Sequence, residues 1–307
     1  MPQRRLWIWT CLPLTLATAS FSAHAQSSLQ VAVTFSVLGD VVKQVAGDAA
    51  KVSVLTPVNA EVHEWELTPR NFAHLERADI VFYNGYQLEQ WMGQVEATVR
   101  DGVPLVAVAE ASGYPTQSIV TGELSGDVDP HLWMDPRAVS AYAEVIADTL
   151  AKADPRQAQA FEQRAQALNE SLETLYEDIT QTLAPIEQEQ RFLLSSEAAF
   201  TYFADAFDFD HTGIWGNNAE SEGSPRQLMA VVDNIKARQP GAIFWESTIS
   251  DRHVTSIARD TGVPVAGPLY VDSLSEPDGP ASRYQAMMRY NAELLRRHLG
   301  PETNDGE

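Results

Sequence analysis

A histidine held between two Asp-Pro pairs, Asp129-Pro130-His131-Leu132-Trp133-Met134-Asp135-Pro136, is the stretch of this chain best suited to hold an ion or move a proton. Proline lacks a backbone N–H and disfavours helix in the residue before it, so the segment reads as a rigid extended turn that presents His131. Pro136 stands where a first helical residue would, with Asp135 as N-cap of the next helix. Such a turn suits a metal ligand or an acid–base group. A lone histidine there reads first as a structural side chain with one hydrogen bond, so the other polar loops decide.

Three further loops carry ligand-type side chains: Glu61-Val62-His63-Glu64-Trp65-Glu66, Ser195-Ser196-Glu197 and Tyr270-Val271-Asp272-Ser273. Each comes after an apolar run that reads as a strand, and ligands of open α/β sheets bind outside the carboxyl ends of strands. Taken singly, Glu197 also reads as a first-turn acid on a helix dipole, at a helix entrance, and Asp272 as a turn cap. His63 alone reads as a surface loop residue. His74, His211, His253 and His298 have no such surroundings and read as ordinary, and Glu220-Ser221-Glu222 reads as a solvated lip.

Catalytic motifs do not account for these residues. His63-Glu64 begins like the zinc-protease helix motif, but its second histidine would fall at Leu67. Ser195 and Ser196 lack nucleophile-elbow glycines, and Gly122 to Gly126 reads as a flexible link rather than a phosphate-cradling loop.

The elements that must position the loops alternate. Strands are expected at Leu29 to Phe35, Lys51 to Leu55, Asp79 to Tyr83 and Pro104 to Val108. Helices are expected between them: Ser36 to Ala46 with Ser36 as N-cap, Thr68 to Arg77 with Pro69 at its first position, and Leu88 to Arg100. That order marks a parallel sheet with helical crossovers. A helix from Pro136 to Ala153 comes next, broken at Asp154-Pro155, and then a helical pattern runs unbroken to Leu183, which can act as a spine between lobes. Alternation resumes with strands at 192–195, 211–215, 242–245 and 263–266 and helices at 198–207, 224–238, 251–261 and 282–298. The expected fold class is α/β, two lobes each with a parallel sheet flanked by helices, joined by one long central helix. The expected division is a signal peptide at 1–25, an N-terminal lobe at 26–153, a linking helix at 154–186, a C-terminal lobe at 187–300 and a disordered tail at 301–307.

Composition narrows the chemistry. Arg4 and Arg5, the apolar run from Leu6 to about Ala19 and the small-x-small site Ala23-His24-Ala25 form a secretory signal, so the mature chain is expected to begin at Gln26. The single cysteine, Cys11, lies inside that signal and is not placed for lipid attachment. A cysteine-free mature chain excludes disulfides, so any metal must be held by His, Asp, Glu or backbone. The net charge of −21 becomes about −23 once Arg4 and Arg5 are removed, which argues against nucleic acid and anionic membranes. The 307 residues suffice for one large or two medium domains, and no later run approaches a membrane-spanning length.

The whole mature chain resembles the metal-specific solute-binding proteins of ABC importers, the bacterial solute-binding protein 9 family (cluster A-I), which delivers manganese, zinc or iron and includes the lipoprotein adhesins. The resemblance rests on His63-Glu-Trp-Glu-Leu-Thr-Pro69, Asn84-Gly85 with Leu88-Glu89-x-Trp91, Asp129-Pro-His-Leu-Trp-Met-Asp-Pro136, Ser196-Glu-Ala-Ala-Phe200 with Tyr202-Phe203, and Asp272-Ser273. It implies four metal ligands, His63, His131, Glu197 and Asp272, the same four that the strand-end loops offer. The chain departs from the family at Leu67, where proline is usual, and at Glu61 and Val62, where Asp or Pro is common. Zinc members often have histidine in place of Glu197 and a His-rich loop before His131; the segment from Gly113 to Val128 has none.

Two neutral imidazoles and two carboxylates make a neutral site around a divalent ion. Hard oxygen ligands suit Mn²⁺ or Fe²⁺, while Zn²⁺ stands above both in intrinsic affinity. The expectation is therefore a periplasmic, non-enzymatic, monomeric carrier of Mn²⁺, with Fe²⁺ next and Zn²⁺ as the competing reading. It would close its cleft on the metal and hand it to an ABC permease in the membrane. Two other classes remain: a secreted metal-dependent hydrolase with Glu64 or Glu66 as general base, and a surface adhesin.

Overall fold

The computed structural model describes residues 28–122, 124–216 and 224–301. The segment expected to be a signal peptide, the expected acidic lip Glu220-Ser221-Glu222 and residues 302–307 of the expected tail lie outside the described residues.

Two four-stranded parallel sheets are flanked by helices. The first contains β1 (Leu29–Val33), β2 (Ala50–Val54), β3 (Ile80–Tyr83) and β4 (Leu105–Ala107) in the order β2-β1-β3-β4. Its helices are α1 (Ser36–Ala46), α2 (Pro69–Leu75), α3 (Met92–Glu96) and α4 (Val108–Ser112). The second contains β5 (Phe192–Glu197), β6 (Asp210–Trp215), β7 (Ile243–Glu246) and β8 (Val265–Leu269) in the order β6-β5-β7-β8, with α7 (Thr201–Phe207), α8 (Pro225–Arg238), α9 (Arg252–Thr261) and α10 (Tyr284–Leu299). Between them run α5 (Pro136–Ala153) and the 26-residue α6 (Ala158–Leu183).

Helix α6 forms because nothing in it breaks helical geometry, and it stays because one stripe is apolar. Phe161, Ala165, Leu168, Leu172, Leu175, Ile179 and Leu183, spaced by three and four residues, are buried, while most of the remaining positions are polar. Each fully buried Leu, Ile or Phe of the stripe contributes about 1.5–3 kcal/mol. The stripe packs against α1 and α5 of the first lobe and α10 of the second, so one continuous apolar core crosses from lobe to lobe. Among the described residues no helix is long and apolar enough to cross a membrane.

Several helix starts obey local chemistry. Asp135 accepts from Arg137 N at 2.9 Å to cap α5, Thr68 and Asn71 cap α2 reciprocally, and Ser224 with Gln227 does so for α8; proline opens all three.

Three expectations need correction. Ser36 is the first residue of α1, behind Phe35, and its hydroxyl accepts from Leu274 N at 2.9 Å in the other lobe instead of capping its own helix. The helix expected from Leu88 to Arg100 shrinks to α3, because Tyr86 and Gln87 take left-handed φ of 50° and 60° and Glu89 folds back to bind the backbone after β3. Glu197 is the last residue of β5, three residues short of α7, so it does not sit on that helix's dipole.

Candidate metal centre

In each sheet the chain leaves two neighbouring strands in opposite directions, β1 and β3 in the first and β5 and β7 in the second, and a crevice opens at their carboxyl ends. In the first crevice the buried Glu89 accepts from Thr34 Oγ1 at 2.7 Å and Asn84 N at 2.8 Å. Asn84 in turn donates through Nδ2 to Pro130 O at 2.8 Å and accepts from the Tyr142 hydroxyl at 2.9 Å. The backbone of the Asp-Pro-His turn is thereby fixed at the crevice. His131 Nδ1 lies 2.7 Å from Asp129 Oδ1, which also accepts from His131 N at 3.0 Å, and the ring packs on Trp133 with centroids 5.0 Å apart. A carboxylate facing Nδ1 assigns the proton to that nitrogen and leaves Nε2 to face the cleft. His63 arrives on the loop between β2 and α2, held by Trp91 Nε1 donating to Val62 O at 2.7 Å and by Gln90 N donating to His63 O at 3.2 Å.

The second lobe supplies the carboxylates. Glu197 ends β5 beside Glu246, the last residue of β7, whose carboxylate accepts from the Ser196 hydroxyl and, at 3.3 Å, from Glu197 N. Gly213 on β6 allows this turn: a Cβ there would lie 2.5 Å from Ala198 N and 2.7 Å from Glu197 C. Asp272 comes after β8, where Asn291 accepts from Tyr270 N at 2.9 Å and donates to Tyr270 O at 2.6 Å. The neighbouring Ser273 Oγ accepts from Asn59 N at 2.7 Å, and Trp133 Nε1 donates to Val271 O at 3.0 Å, so the Asp272 loop is tied to both histidine loops.

All four expected residues meet. His63 Nε2 is 3.8 Å from Glu197 Oε1 and 3.8 Å from Asp272 Oδ2, and His131 Nε2 is 3.5 Å from Asp272 Oδ1. Ligands at tetrahedral angles around an ion at about 2.0–2.3 Å stand about 3.3–3.8 Å apart, so each of these three pairs has the separation of two ligands of one small cation. The four residues are 0–3% exposed, and His63 Nε2 and Glu197 Oε1 are buried with no hydrogen-bond partner among the described residues. A buried polar atom left so costs about 1–3 kcal/mol, which a bound cation removes.

Protonation in the metal-free cluster is set by burial and charge. Burial pushes the His63 imidazole down to about 4, with the charge of His131 adding to the effect, so it is neutral and ready to coordinate. Burial also presses on His131, but the carboxylates of Asp129 and Asp272 outweigh it and hold its pKa well above the usual value. Asp272, despite its burial, is kept below the carboxylate range by the hydrogen bond and charge of His131. Glu197 is raised well above it, first by burial and then by Glu61 and Asp272.

Three acidic residues at the site escaped sequence reasoning as functional groups. Asp129 orients His131, and the Asp-Pro-His spacing, which lets a side chain reach the N–H two residues on, is its signal. Glu246 supports Glu197 and is raised to about 8 by burial; its signal is its position immediately after the strand expected at 242–245, the same place in a βα unit that singled out the other loops. Glu61, raised to about 7 by burial and by Asp272, reaches within 3.9 Å of His63 Nε2. Its distance from that nitrogen has no local signature. Glu64 and Glu66 belong to neither of the metal-type groups among the described residues, which are His63, His131 and Asp272, and Glu61, Glu197 and Asp272. His211 lies apart, with Nε2 3.0 Å from Ser195 Oγ.

Comparison with known proteins agrees with this architecture. A profile of the family described as "ZnuA: Zinc-uptake complex component A periplasmic" matches residues 31–298. The manganese-binding lipoprotein MntA of Halalkalibacterium halodurans is 36% identical over 267 residues, 87% of each chain. The iron-binding protein YfeA of Yersinia pestis is 34% identical over 289 residues, 93% of this chain and 92% of its own. Among solved structures, the periplasmic zinc-binding protein TroA from Treponema pallidum superposes with a TM-score of 0.82 at 27% identity, over 89% of this chain and 100% of its own. The Mn-bound periplasmic metal-binding protein from Candidatus Liberibacter asiaticus does so with a TM-score of 0.78 at 27% identity, over 86% of this chain and 97% of its own.

Proposed function

The chain belongs to the ZnuA family of periplasmic metal-uptake components, and on that premise we propose that it is the substrate-binding protein of an ABC importer for a divalent transition metal. It holds the ion between His63 and His131 of one lobe and Glu197 and Asp272 of the other, and passes it to the membrane permease. The observation that carries this reading is the approach of the two histidines of one lobe to the carboxylates of the other, His63 at 3.8 Å from Glu197 and from Asp272 and His131 at 3.5 Å from Asp272.

Binding replaces protons with metal. His131 and Glu197 both stand well above their usual values in the empty cluster and so lean toward the protonated form, and coordination requires those protons to leave, so capture is coupled to proton release. With both imidazoles neutral and both carboxylates ionised, the four ligands by themselves balance the charge of a divalent ion. The lobes at 26–153 and 187–300 close on the ion, and the apolar stripe of α6 limits that movement because it packs on both. Four protein ligands fill the coordination of a tetrahedral ion and leave no position for a reactive water, which supports transport rather than hydrolysis.

Mn²⁺ is the proposed cargo, with Fe²⁺ next. Oxygen ligands supply half of the set, and the segment from Gly113 to Val128 has no histidine. A monomer exported to the periplasm through the segment 1–25 is the working form, since one chain supplies every ligand.

The test is a melting experiment on the metal-free chain from Gln26 with Mn²⁺, Fe²⁺ and Zn²⁺. A ligand at about a hundred times its Kd stabilises the folded state by about 2.7 kcal/mol, which for a protein of this size raises Tm by roughly 5 °C or more. Mn²⁺ is expected to give that rise, and Glu197→Ala and His131→Ala to abolish it. A rise with Zn²⁺ alone refutes the manganese assignment, and no rise with any metal refutes the site.

A further inference from the structure

We propose that Glu61 is a fifth ligand to the transported ion, a third carboxylate that fits the site to an oxygen-rich, five- or six-coordinate metal. The proposal rests on the four-residue site described above. The Glu61 carboxylate makes two uses of its length. Oε1 accepts from His63 N at 3.0 Å, closing the turn that carries His63, and lies 3.9 Å from His63 Nε2. Oε2 is buried and has no hydrogen-bond partner among the described residues. Oxygens of Glu61, Glu197 and Asp272 all lie within 4.8 Å of one another, about the widest separation that two ligands of one ion bound at about 2.2 Å can have.

The approach is built in. Asn59 N donates to Ser273 Oγ at 2.7 Å, Ala60 N donates to Pro57 O at 3.3 Å, and Asn59 takes a left-handed φ of 62°. The loop is therefore fastened to the segment that carries Asp272, and Glu61 is delivered between the two lobes. An aspartate here would close the same turn, but its carboxylate is one methylene shorter and would stop at the backbone. Glutamate is what lets one side chain hold the turn and still face the ion.

A third carboxylate changes what the site prefers. Two imidazoles and two carboxylates can satisfy a tetrahedral Zn²⁺, whereas an added oxygen suits Mn²⁺ or Fe²⁺, which take more ligands. It also leaves the loaded site with one net negative charge.

The test compares the wild-type chain with Glu61→Gln, which keeps length and turn but loses the anionic oxygen, and Glu61→Asp, which keeps turn and charge but loses reach. Mn²⁺ and Zn²⁺ affinities are measured by chelator competition, and the oxygen count around bound Mn²⁺ by X-ray absorption. Both variants are expected to weaken Mn²⁺ binding by about tenfold or more and Zn²⁺ binding by much less, on the scale of groups that complete a metal site. The Mn²⁺ spectrum should lose one oxygen neighbour. Wild-type Mn²⁺ affinity and an unchanged spectrum in both variants overturn the proposal and leave Glu61 as a backbone cap. An equal loss for both metals, with a lower Tm before metal is added, overturns it as well. His131→Ala separates the two levels: if it binds metal as wild type does, the four-residue reading fails and this proposal with it. If it loses binding while both Glu61 variants keep theirs, only the fifth ligand is refuted.

Discussion

Replacing Asp129 by Asn tests how the first lobe tunes its ligand. The substitution keeps the shape of a fully buried side chain and removes its charge. Asp129 Oδ1 accepts from His131 N at 3.0 Å and from Nδ1 at 2.7 Å, the second within the range of a charge-assisted bond. A hydrogen bond to a charged group contributes about 1.5–3 kcal/mol. Loss of the carboxylate behind a ligating imidazole typically weakens metal binding about 10–100-fold, which at about 1.4 kcal/mol per decade is roughly 1.4–2.8 kcal/mol, so the two scales agree. A second effect runs the other way. The Asp129 charge also helps keep His131 protonated, so the variant loses its competing proton more readily. The weakening should therefore be larger at about pH 8, where protons compete little, than at about pH 6, where they compete most. The assay is competition against a fluorescent chelator at fixed ionic strength, with circular dichroism to verify the fold. A folded variant that binds Mn²⁺ like wild type at both pH values refutes the claim that Asp129 sets the orientation and basicity of His131.

The same geometry predicts two further outcomes. Because Glu61 at about 7 and Glu197 and His131 above their usual values all favour the protonated form in the empty cluster, metal affinity should fall as pH drops through about 7, by up to about tenfold per pH unit for each proton displaced; calorimetry in buffers of different ionisation enthalpy checks the proton release, and none at pH 7 would contradict it. Gly213→Ala should destabilise the protein by about 1–3 kcal/mol and weaken metal binding, since its Cβ would press on the backbone of Glu197 and Ala198; urea unfolding and metal titration read the two effects, and an unperturbed variant would show that the chain leaving β5 has slack.

The alternating strands and helices, the apolar stripe of α6 and the proline-opened, side-chain-capped starts of α2, α5 and α8 were legible because each is encoded within a few consecutive residues. The departures share one cause. Ser36 has the chemistry of an N-cap, yet its hydroxyl serves Leu274 of the other lobe; Leu88 and Glu89 have the propensity for helix, yet Glu89 is recruited to the backbone of Asn84 and Gly85. In both, a tertiary hydrogen bond outweighs local preference, whose range is below about 1 kcal/mol per residue.

By itself the sequence determined the kind of site this protein can have. A chain whose single cysteine, Cys11, lies in the segment read as a secretory signal must use imidazole and carboxylate, a histidine between two Asp-Pro pairs must be presented on a rigid turn, and strands that alternate with helices must open their ligand loops at one edge of each sheet. Only the tertiary structure decided which acids enter the site and in which protonation state. Glu61, Asp129 and Glu246 are ordinary acidic residues along the chain; their roles arise from distances of 2.7–3.9 Å to His131, Glu197 and His63. The distances between lobes are set by how the two sheets pack on α6, and the protonation states by burial and by charges brought together across the cleft. Neither quantity is a property of neighbouring residues in the chain.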